Sequence, residues 1–120
     1  EIIMQTRTLT TPNQCKEQID NLLNKYENYS ESNNEVIFNT IVGLKMRQRR
    51  LDKGITQTKV SRALDVTFQQ IQKYEKGTNG IKTYKLLQFC KFTGTHYSFF
   101  FRNLPKELMP EQLINGGDNE

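Results

Sequence analysis

The stretch from Ile55 to Gly77 constrains the fold more than any other part of the sequence, because it carries the start signals of two short helices. Thr56 is a favourable N-cap residue, since its hydroxyl can accept a hydrogen bond from a free backbone N–H group of the first turn. Thr67 is a second N-cap, and Gln70 follows it at the spacing of a capping box. The stretch therefore predicts two short helices in close succession, the second of which ends before Gly77.

The residues between these helices favour a tight turn. Asp65 lies where the chain must reverse, and aspartate tolerates the left-handed backbone conformation better than most residues. Val66 and Ile71 occupy the two positions of a hydrophobic staple, which fixes the angle at which the chain enters the second helix. The expected helices therefore cover residues 57–64 and 68–76.

The second of these helices has two chemically different faces. At about 100° per residue, Ile71, Tyr74 and Glu75 lie on one side, and the first two are core residues. The opposite side carries amides and lysines, at Gln69, Gln72, Lys73 and Lys76. Glutamine can grip the N6/N7 edge of adenine and lysine the O6/N7 acceptors of guanine, so this face suits the reading of base pairs. The alternative is an ordinary solvated face that carries amides by chance.

The charges are distributed unevenly along the chain, although the net charge is only +4. Residues 43–91 carry twelve basic and three acidic side chains, whereas residues 1–42 and 92–120 are both net acidic. A basic centre between acidic ends favours a polyanionic partner for the centre. Charge clusters are also common on faces that only contact solvent, so charge alone leaves both interpretations open.

Helical periodicity extends through the rest of the chain, and no strand pattern competes with it in the body of the sequence. Further helices are expected at residues 12–29, 35–53, 83–92 and 96–102. The inward residues of the first two are Cys15, Ile19, Leu22, Leu23, Tyr26, Val36, Ile37, Ile41, Leu44 and Leu51. Those of helices 57–64 and 83–92 are Val60, Ala63, Leu64, Leu86, Leu87 and Cys90. The 120 residues therefore predict one all-α domain with an appended element.

Several functional classes lack the residues that they need. His96 is the only histidine and has no cysteine, histidine or carboxylate at ligand spacing, which argues against a metal site. No glycine-rich phosphate loop, activated nucleophile or carboxylate pair in an apolar context indicates an enzyme or a cofactor. Cys15 and Cys90 are far apart, so we expect reduced thiols in a cytoplasmic protein. No apolar run approaches the roughly 20 residues of a transmembrane helix.

The ordered set of motifs resembles the Cro/repressor-type (Xre-like) helix-turn-helix proteins of bacteria and phages. The segments that carry the resemblance, within about residues 42–104, are 44–50 (LKMRQRR), 54–57 (GITQ), 65–67 (DVT), 71–77 (IQKYEKG) and 94–101 (GTHYSFFF). The resemblance implies a lambda-repressor-like domain of five helices, the third of which lies in the major groove of DNA. Two positions depart from the pattern, because Ser61 replaces a small alanine and Asp65 replaces the usual glycine of the turn.

The resemblance also divides the chain and assigns roles to individual residues. Residues 1–34 would be an added N-terminal arm and helix, 35–104 the DNA-binding domain and 105–120 a tail. Arg50 and Glu75 match a structural ion pair between the first and third helices of the domain. Base-reading residues would be Phe68, Gln69, Gln72 and Lys73, with the phenylalanine suited to a thymine methyl group. Phosphate contacts would come from Gln57, Thr67, Gln70, Lys76 and Asn79, the first of these at a helix N-terminus that favours anions.

A run of aromatic residues near the C-terminus leads to a prediction about assembly. The run contains Tyr97, Phe99, Phe100 and Phe101. These residues cannot all be buried in so small a domain, since successive helical residues point about 100° apart. One or two should close the core, and the rest should form an exposed patch of the kind that often marks an interface. We expect a homodimer through this segment, through helix 12–29 or through both; alternatively, helix 12–29 folds back and covers the patch.

The sequence thus predicts a cytoplasmic transcriptional regulator, without metal or cofactor, that binds a palindromic site in double-stranded DNA as a homodimer. A rival interpretation from another class is a protein-interaction module, such as an antitoxin whose residues 1–34 bind a partner protein. An enzymatic function is a distant third.

Overall fold

The computed structural model describes residues 8–24, 34–105 and 108. All regular secondary structure within these residues is helical, which confirms the predicted all-α class. In chain order the helices are α1 Pro12–Asn24, α2 Asn34–Asp52, α3 Gln57–Leu64, α4 Phe68–Lys76, α5 Thr83–Thr93 and a 3₁₀ helix, Tyr97–Phe100.

The capping residues define the two central helices as the sequence predicted. The Thr56 hydroxyl accepts a hydrogen bond from the Lys59 backbone N–H at 3.1 Å, and α3 begins at the next residue. The Thr67 hydroxyl accepts one from the Gln70 N–H at 3.0 Å, and α4 begins at the next residue. Between them Asp65 has the left-handed conformation expected of the turn, with φ 56° and ψ 50°. The predicted bounds of both helices are therefore confirmed.

The other helices differ from the prediction only near their ends. Helix α2 begins and ends one residue earlier than predicted, and α5 ends one residue later. The expected helix over 96–102 is a shorter 3₁₀ helix, Tyr97–Phe100. The final turns predicted for the first helix, with Tyr26, and most of the predicted tail lie outside the described residues.

The central core joins α2, α3, α4, α5 and the 3₁₀ helix. Its fully buried side chains are Met46, Val60, Leu64, Ile71, Phe89 and Phe100. Burial of large apolar side chains such as these contributes about 1.5–3 kcal/mol each, so this cluster supplies much of the stability of the domain.

Two inward assignments from the sequence were wrong. Val36 is 40% exposed and Leu87 is 57% exposed. Phe89, two positions after Leu87 in α5, is fully buried in the core instead. Apolar residues surround most of α5, so periodicity alone could not identify the face that contacts the core.

Helix α1 lies on α2 and uses its apolar stripe within the chain. Cys15 and Ile19 pack with Leu44 of α2 in one buried cluster. Leu22 packs with Ile41 in a second buried cluster. The stripe of α1 is therefore already covered by α2.

Helices α2 and α4 approach each other closely at Gly43. A Cβ atom at this position would overlap the carbonyl oxygen of Tyr74 and lie 2.7 Å from that of Glu75. Only glycine permits such backbone contact, and this contact sets the distance of α4 from the body of the domain.

Candidate nucleic-acid interface

The inner face of α4 is anchored in the core. Ile71 and Glu75 are fully buried and Tyr74 is 7% exposed, as the helical wheel predicted. The C-terminal end of α4 is fixed as well, because Gly77 has a left-handed φ of 77° and lies directly against Thr40 of α2. The orientation of α4 is therefore determined at its inner face and at its end.

A buried network around Glu75 connects three helices. Its Oε2 atom accepts a hydrogen bond from Arg50 Nε at 2.6 Å. Its Oε1 atom accepts from Arg47 Nε at 2.9 Å, from Arg50 Nη2 at 3.0 Å and from Gln57 Nε2 at 3.0 Å. Two arginines of α2 and one amide of α3 thus converge on a single carboxylate of α4, which compensates the burial of the charges.

The structure contains the Arg50–Glu75 ion pair that the resemblance implied, and it adds Arg47 and Gln57. The sequence held a signal for Arg47, because this residue precedes Arg50 by three positions and therefore shares its helix face. Gln57 was assigned to a phosphate contact, yet its side-chain amide donates inward to Glu75. It lies at the first residue of α3, where it ties the start of that helix to α4.

The outer face of α4 is open to solvent. Phe68 is 40% exposed, Gln69 and Lys73 are exposed, and Gln72 is half-buried. These four predicted base-reading residues occupy the first two turns of α4. Gln69 and Lys73 lie on the side away from Ile71 and Glu75, whereas Phe68, seven positions before Glu75, lies within about 20° of its direction around the helix. The first turns of α4 thus offer a phenyl ring, two amides and an ammonium group.

Some of the predicted phosphate contacts share a groove beside this surface. Thr67, Gln70 and Asn79 line an open groove of about 720 Å³. Lys82 and Lys85 line it too, although the sequence prediction named neither. The Lys85 ammonium donates to the Leu64 carbonyl at 2.6 Å, so Lys82 is the freer cation of the two. The remaining predicted contacts, Gln57 and Lys76, do not line this groove, and Lys76 is exposed on α4.

The aromatic segment divides into buried and exposed rings. Phe100 is fully buried and meets Phe89 edge to face, with ring centroids 6.0 Å apart. Phe99 is half-buried, whereas Tyr97 is 63% and Phe101 45% exposed. Tyr97 and Phe101, together with the exposed Leu87 of α5, are called the aromatic patch below. They line the same cleft, which has a volume of about 390 Å³ and is walled mainly by apolar side chains.

Both cysteines are buried thiols. Burial raises the pKa of Cys15 to about 11, while Arg47 and Arg50 oppose this rise and Glu75 adds to it. Burial also raises the pKa of Cys90. The neutral thiol is therefore the stable form of both residues at neutral pH, and neither is available as a nucleophile.

The described residues contain no group of three or more histidine, cysteine or acidic side chains that could hold a metal ion. In the same part of the chain, every helix is too short or too polar to cross a membrane.

Comparison with known proteins assigns the part of the chain that contains α3 and α4 to a family. Residues 46–100 match the family model described as helix-turn-helix. An uncharacterized HTH-type transcriptional regulator of Sinorhizobium fredii is 41% identical over 79 residues, which cover 66% of this chain and 54% of that protein. One from Sinorhizobium medicae is 44% identical over 64 residues, covering 53% of this chain and 46% of that protein. One from Rickettsia conorii is 31% identical over 82 residues, covering 67% and 66%. The chain spans about half of the length of the two Sinorhizobium relatives.

Proposed function

The chain belongs to the Cro/repressor-type helix-turn-helix family of transcriptional regulators through residues 46–100, and from this premise we propose that it binds specific sites in double-stranded DNA. The observation that carries the proposal is the division of α4. Its inner face is buried at Ile71, Tyr74 and Glu75, whereas its outer face presents amide and ammonium groups to solvent.

Base reading falls to four residues of α4 in this proposal. Gln69 and Gln72 can each pair with the N6/N7 edge of adenine, and Lys73 can reach the acceptors of guanine. The exposed Phe68 ring supplies an apolar surface for a thymine methyl group. The N-terminal half of α4 would enter the major groove, as in other proteins with this motif.

Phosphate contacts would position the domain and supply much of the affinity. The groove that contains Thr67, Gln70 and Asn79 begins at the N-cap of α4, and its two lysines, Lys82 and Lys85, outnumber its one acid, Glu35. Lys76 lies exposed at the end of α4, and the backbone N–H groups at the start of α3, beside Gln57, complete the predicted set. Affinity should fall steeply as the salt concentration rises, because each neutralised phosphate releases counterions.

We propose that two copies bind a palindromic site, and that the contact between them is the aromatic patch. The stripe of α1 is already buried against α2, so it is not available as the main contact surface. The aromatic patch, in contrast, exposes Leu87, Tyr97 and Phe101 beside an apolar cleft. A twofold pair through this patch would hold two α4 helices about 34 Å apart, to match successive major grooves. A regulator that acts on chromosomal DNA in this way would work in the cytoplasm.

The reading assignment can be tested with the double variant Gln69→Ala/Lys73→Ala. Wild type and variant are used to select binding sites from random duplex DNA at fixed salt. The variant should keep its nonspecific affinity and lose site preference, by about 1–3 kcal/mol for each lost base contact. The control is Gln18→Ala/Lys91→Ala, which removes the same residue types from α1 and α5. Unchanged selectivity in the α4 variant would refute the assignment.

The dimer contact can be tested by sedimentation of the variant Tyr97→Ser/Phe101→Ser at micromolar concentration, with and without operator DNA. The wild type should sediment as a dimer in at least one of these conditions, and the variant as a monomer in both. Phe92→Ser is the matched control, since Phe92 is 44% exposed on α5 but does not line the cleft. A wild type that stays monomeric even on DNA would contradict the dimer.

The rival function, binding of a partner protein by residues 1–34, has less support. The described part of that segment uses its apolar stripe against α2, and the relatives are described as transcriptional regulators. A pull-down with the full chain, compared with a variant in which exposed α1 residues such as Glu17 and Asn21 are replaced by arginine, would reveal a partner that binds α1.

A further inference from the structure

A small cleft lies between α1, α2 and the residues that follow the 3₁₀ helix. It has a volume of about 180 Å³, which is space for about six water molecules. Its apolar wall includes Ile19, Leu23 and Ile41, whereas three cationic side chains, Lys16, Lys45 and Arg102, line the rest. A single acid, Asp20, lines it as well, so the lining has a net positive charge.

Lys45 is the unusual member of this lining, because it is a lysine that is only 7% exposed. Its ammonium group donates to the Phe99 carbonyl at 3.0 Å and to the Arg102 carbonyl at 2.9 Å. Among the described residues no carboxylate forms an ion pair with it. Two of its three protons are therefore used in hydrogen bonds to carbonyl oxygens.

Further cations surround the same ring. The Phe99 ring centroid lies 5.6 Å from Lys45 Nζ, 5.5 Å from Arg49 Cζ and 5.4 Å from Arg102 Cζ. Burial and, to a smaller extent, the nearby Arg102 together lower the pKa of Lys45 to about 8. Arg49 is also paired with Asp52, at 3.2 Å between Nη1 and Oδ2. An aromatic ring is a weak counter-charge for Lys45 and Arg102, so an anion placed in the cleft would relieve the repulsion between these two cations.

We propose that this cleft binds a small carboxylate that carries an apolar body. The carboxylate would pair with Lys45 and Arg102, since guanidinium groups bind carboxylates with two parallel hydrogen bonds. The apolar body would lie against Ile19, Leu23 and Ile41. Inorganic anions such as phosphate have no apolar body to fill the space beside these residues.

The cleft is separate from the proposed DNA-binding surface. Gly43 and Arg47 are among the residues of α2 that face α4. Lys45 is two positions from each, and a separation of two residues is a rotation of about 200° around a helix. A ligand in the cleft would instead connect α1 to the 3₁₀ helix, which presents Tyr97 of the aromatic patch. If the patch joins two copies as proposed above, such a ligand would act on the assembly rather than on base reading.

The binding of the ligand can be measured without DNA, so that its failure does not depend on the proposed function. The full chain, labelled with ¹⁵N, is titrated at pH 7 with benzoate, with the uncharged isostere benzamide and with inorganic phosphate. Benzoate should produce saturable shifts in the amide signals of residues 16–23 and 99–104. Benzamide and phosphate should each bind at least ten-fold more weakly. Equal binding of benzoate and benzamide, or no saturable shift with benzoate, would overturn the proposal.

Variants of exposed residues test the cationic lining without disturbing the core. Lys16→Gln/Arg102→Gln should weaken benzoate binding at least ten-fold, because both residues line the cleft and their replacement removes two of its cations. Both are exposed, so the core should stay intact. Lys59→Gln/Lys91→Gln removes two charges from exposed lysines of α3 and α5 outside the cleft; it is the matched control and should bind benzoate as the wild type does. Equal weakening by both variants would reduce the effect to net charge and would overturn the specific site.

Discussion

The inner and outer faces of α4 belong to the same helix of nine residues but meet opposite requirements. On the inner face, Ile71 and Glu75 are fully buried and each contact of Glu75 is specified by a partner on another helix. On the outer face, Gln69 and Lys73 are exposed and have no role in packing. If the outer face reads DNA as proposed, one helix separates the determinants of stability from those of sequence choice. The variants below can break or sharpen that separation.

The largest effect is expected at the centre of the inner face. Glu75→Gln keeps the side-chain volume but leaves Arg47 and Arg50 buried without a counter-charge. Removal of one partner of a buried ion pair costs about 3–5 kcal/mol, and urea denaturation should show a loss of this size. Glu35→Gln, at an exposed glutamate of α2, is the control. A loss below about 1 kcal/mol would mean that the network does not hold α4 in place.

The next largest effect on stability is expected for Gly43→Ala. Its new methyl group would overlap the backbone of α4, which cannot move without displacing the whole inner face. Overpacking of this kind costs about 1–3 kcal/mol, and we expect the upper end in the free energy of unfolding. At Gly80 an added Cβ would meet only the side chain of Asn39, so Gly80→Ala should be milder. Equal effects of the two substitutions would argue against a fixed distance between α2 and α4.

The pKa of the Cys15 thiol responds to burial and also to Glu75 of the inner face, so the pH dependence of stability also tests this face. Its pKa is about 11 in the folded chain and 9.0 for the free thiol, so between these values the unfolded chain releases a proton that the folded chain keeps. The contribution to stability is therefore complete below pH 9 and is lost as the pH rises to about 11. The stability of the wild type relative to Cys15→Ala should fall by about 2 kcal/mol over that range. A difference that does not change with pH would contradict the raised pKa.

The turn between α3 and α4 should show a smaller effect. Asp65 has a positive φ of 56°, which alanine tolerates less well than aspartate. Asp65→Ala should therefore cost about 0.5–1 kcal/mol, whereas Asp65→Gly should lie within about 0.5 kcal/mol of the wild type. Thermal unfolding of the two variants provides the measurement. If glycine were as costly as alanine, the aspartate side chain and not the backbone conformation would be important.

The smallest effect on stability is expected on the outer face. Gln69→Ala/Lys73→Ala should change the free energy of unfolding by no more than about 0.5 kcal/mol, because neither side chain is buried. Denaturant titration of the variant used for DNA selection would provide this number. A destabilisation above about 1 kcal/mol would show that the two faces of α4 are not independent.

Much of the fold could be predicted because the relevant signals are local. Thr56, Thr67 and Gly77 specify their helix ends through groups within a few residues, so the bounds of α3 and α4 followed from the sequence. The wheel of α4 separated its two faces for the same reason. The prediction that Leu87 faces inward failed because the choice between Leu87 and Phe89 depends on how α5 contacts other helices. Apolar residues on several sides of a helix carry no local signal for that choice.

The candidate site was predictable to a similar degree. The ion pair of Arg50 with Glu75 came from the resemblance, but the convergence of Arg47 and Gln57 on the same carboxylate is a property of three packed helices. The close contact at Gly43 gave no signal, since glycine within a helix has several causes. The sequence carries no signal for the burial of Lys45, because this lysine is enclosed only where residues 99–102 fold back onto α2.

One oxygen atom, Oε1 of Glu75, accepts hydrogen bonds from α2 and α3 while it belongs to α4. These hydrogen bonds tie the three helices to one another, so we expect them to move as one body. If two copies bind one operator as proposed, any mismatch between their spacing and the pitch of the DNA would be absorbed elsewhere, by bending of the DNA or at the contact between subunits. Bending costs more in stiff sequences than in flexible ones, so base pairs that no side chain touches would also influence the choice of operator.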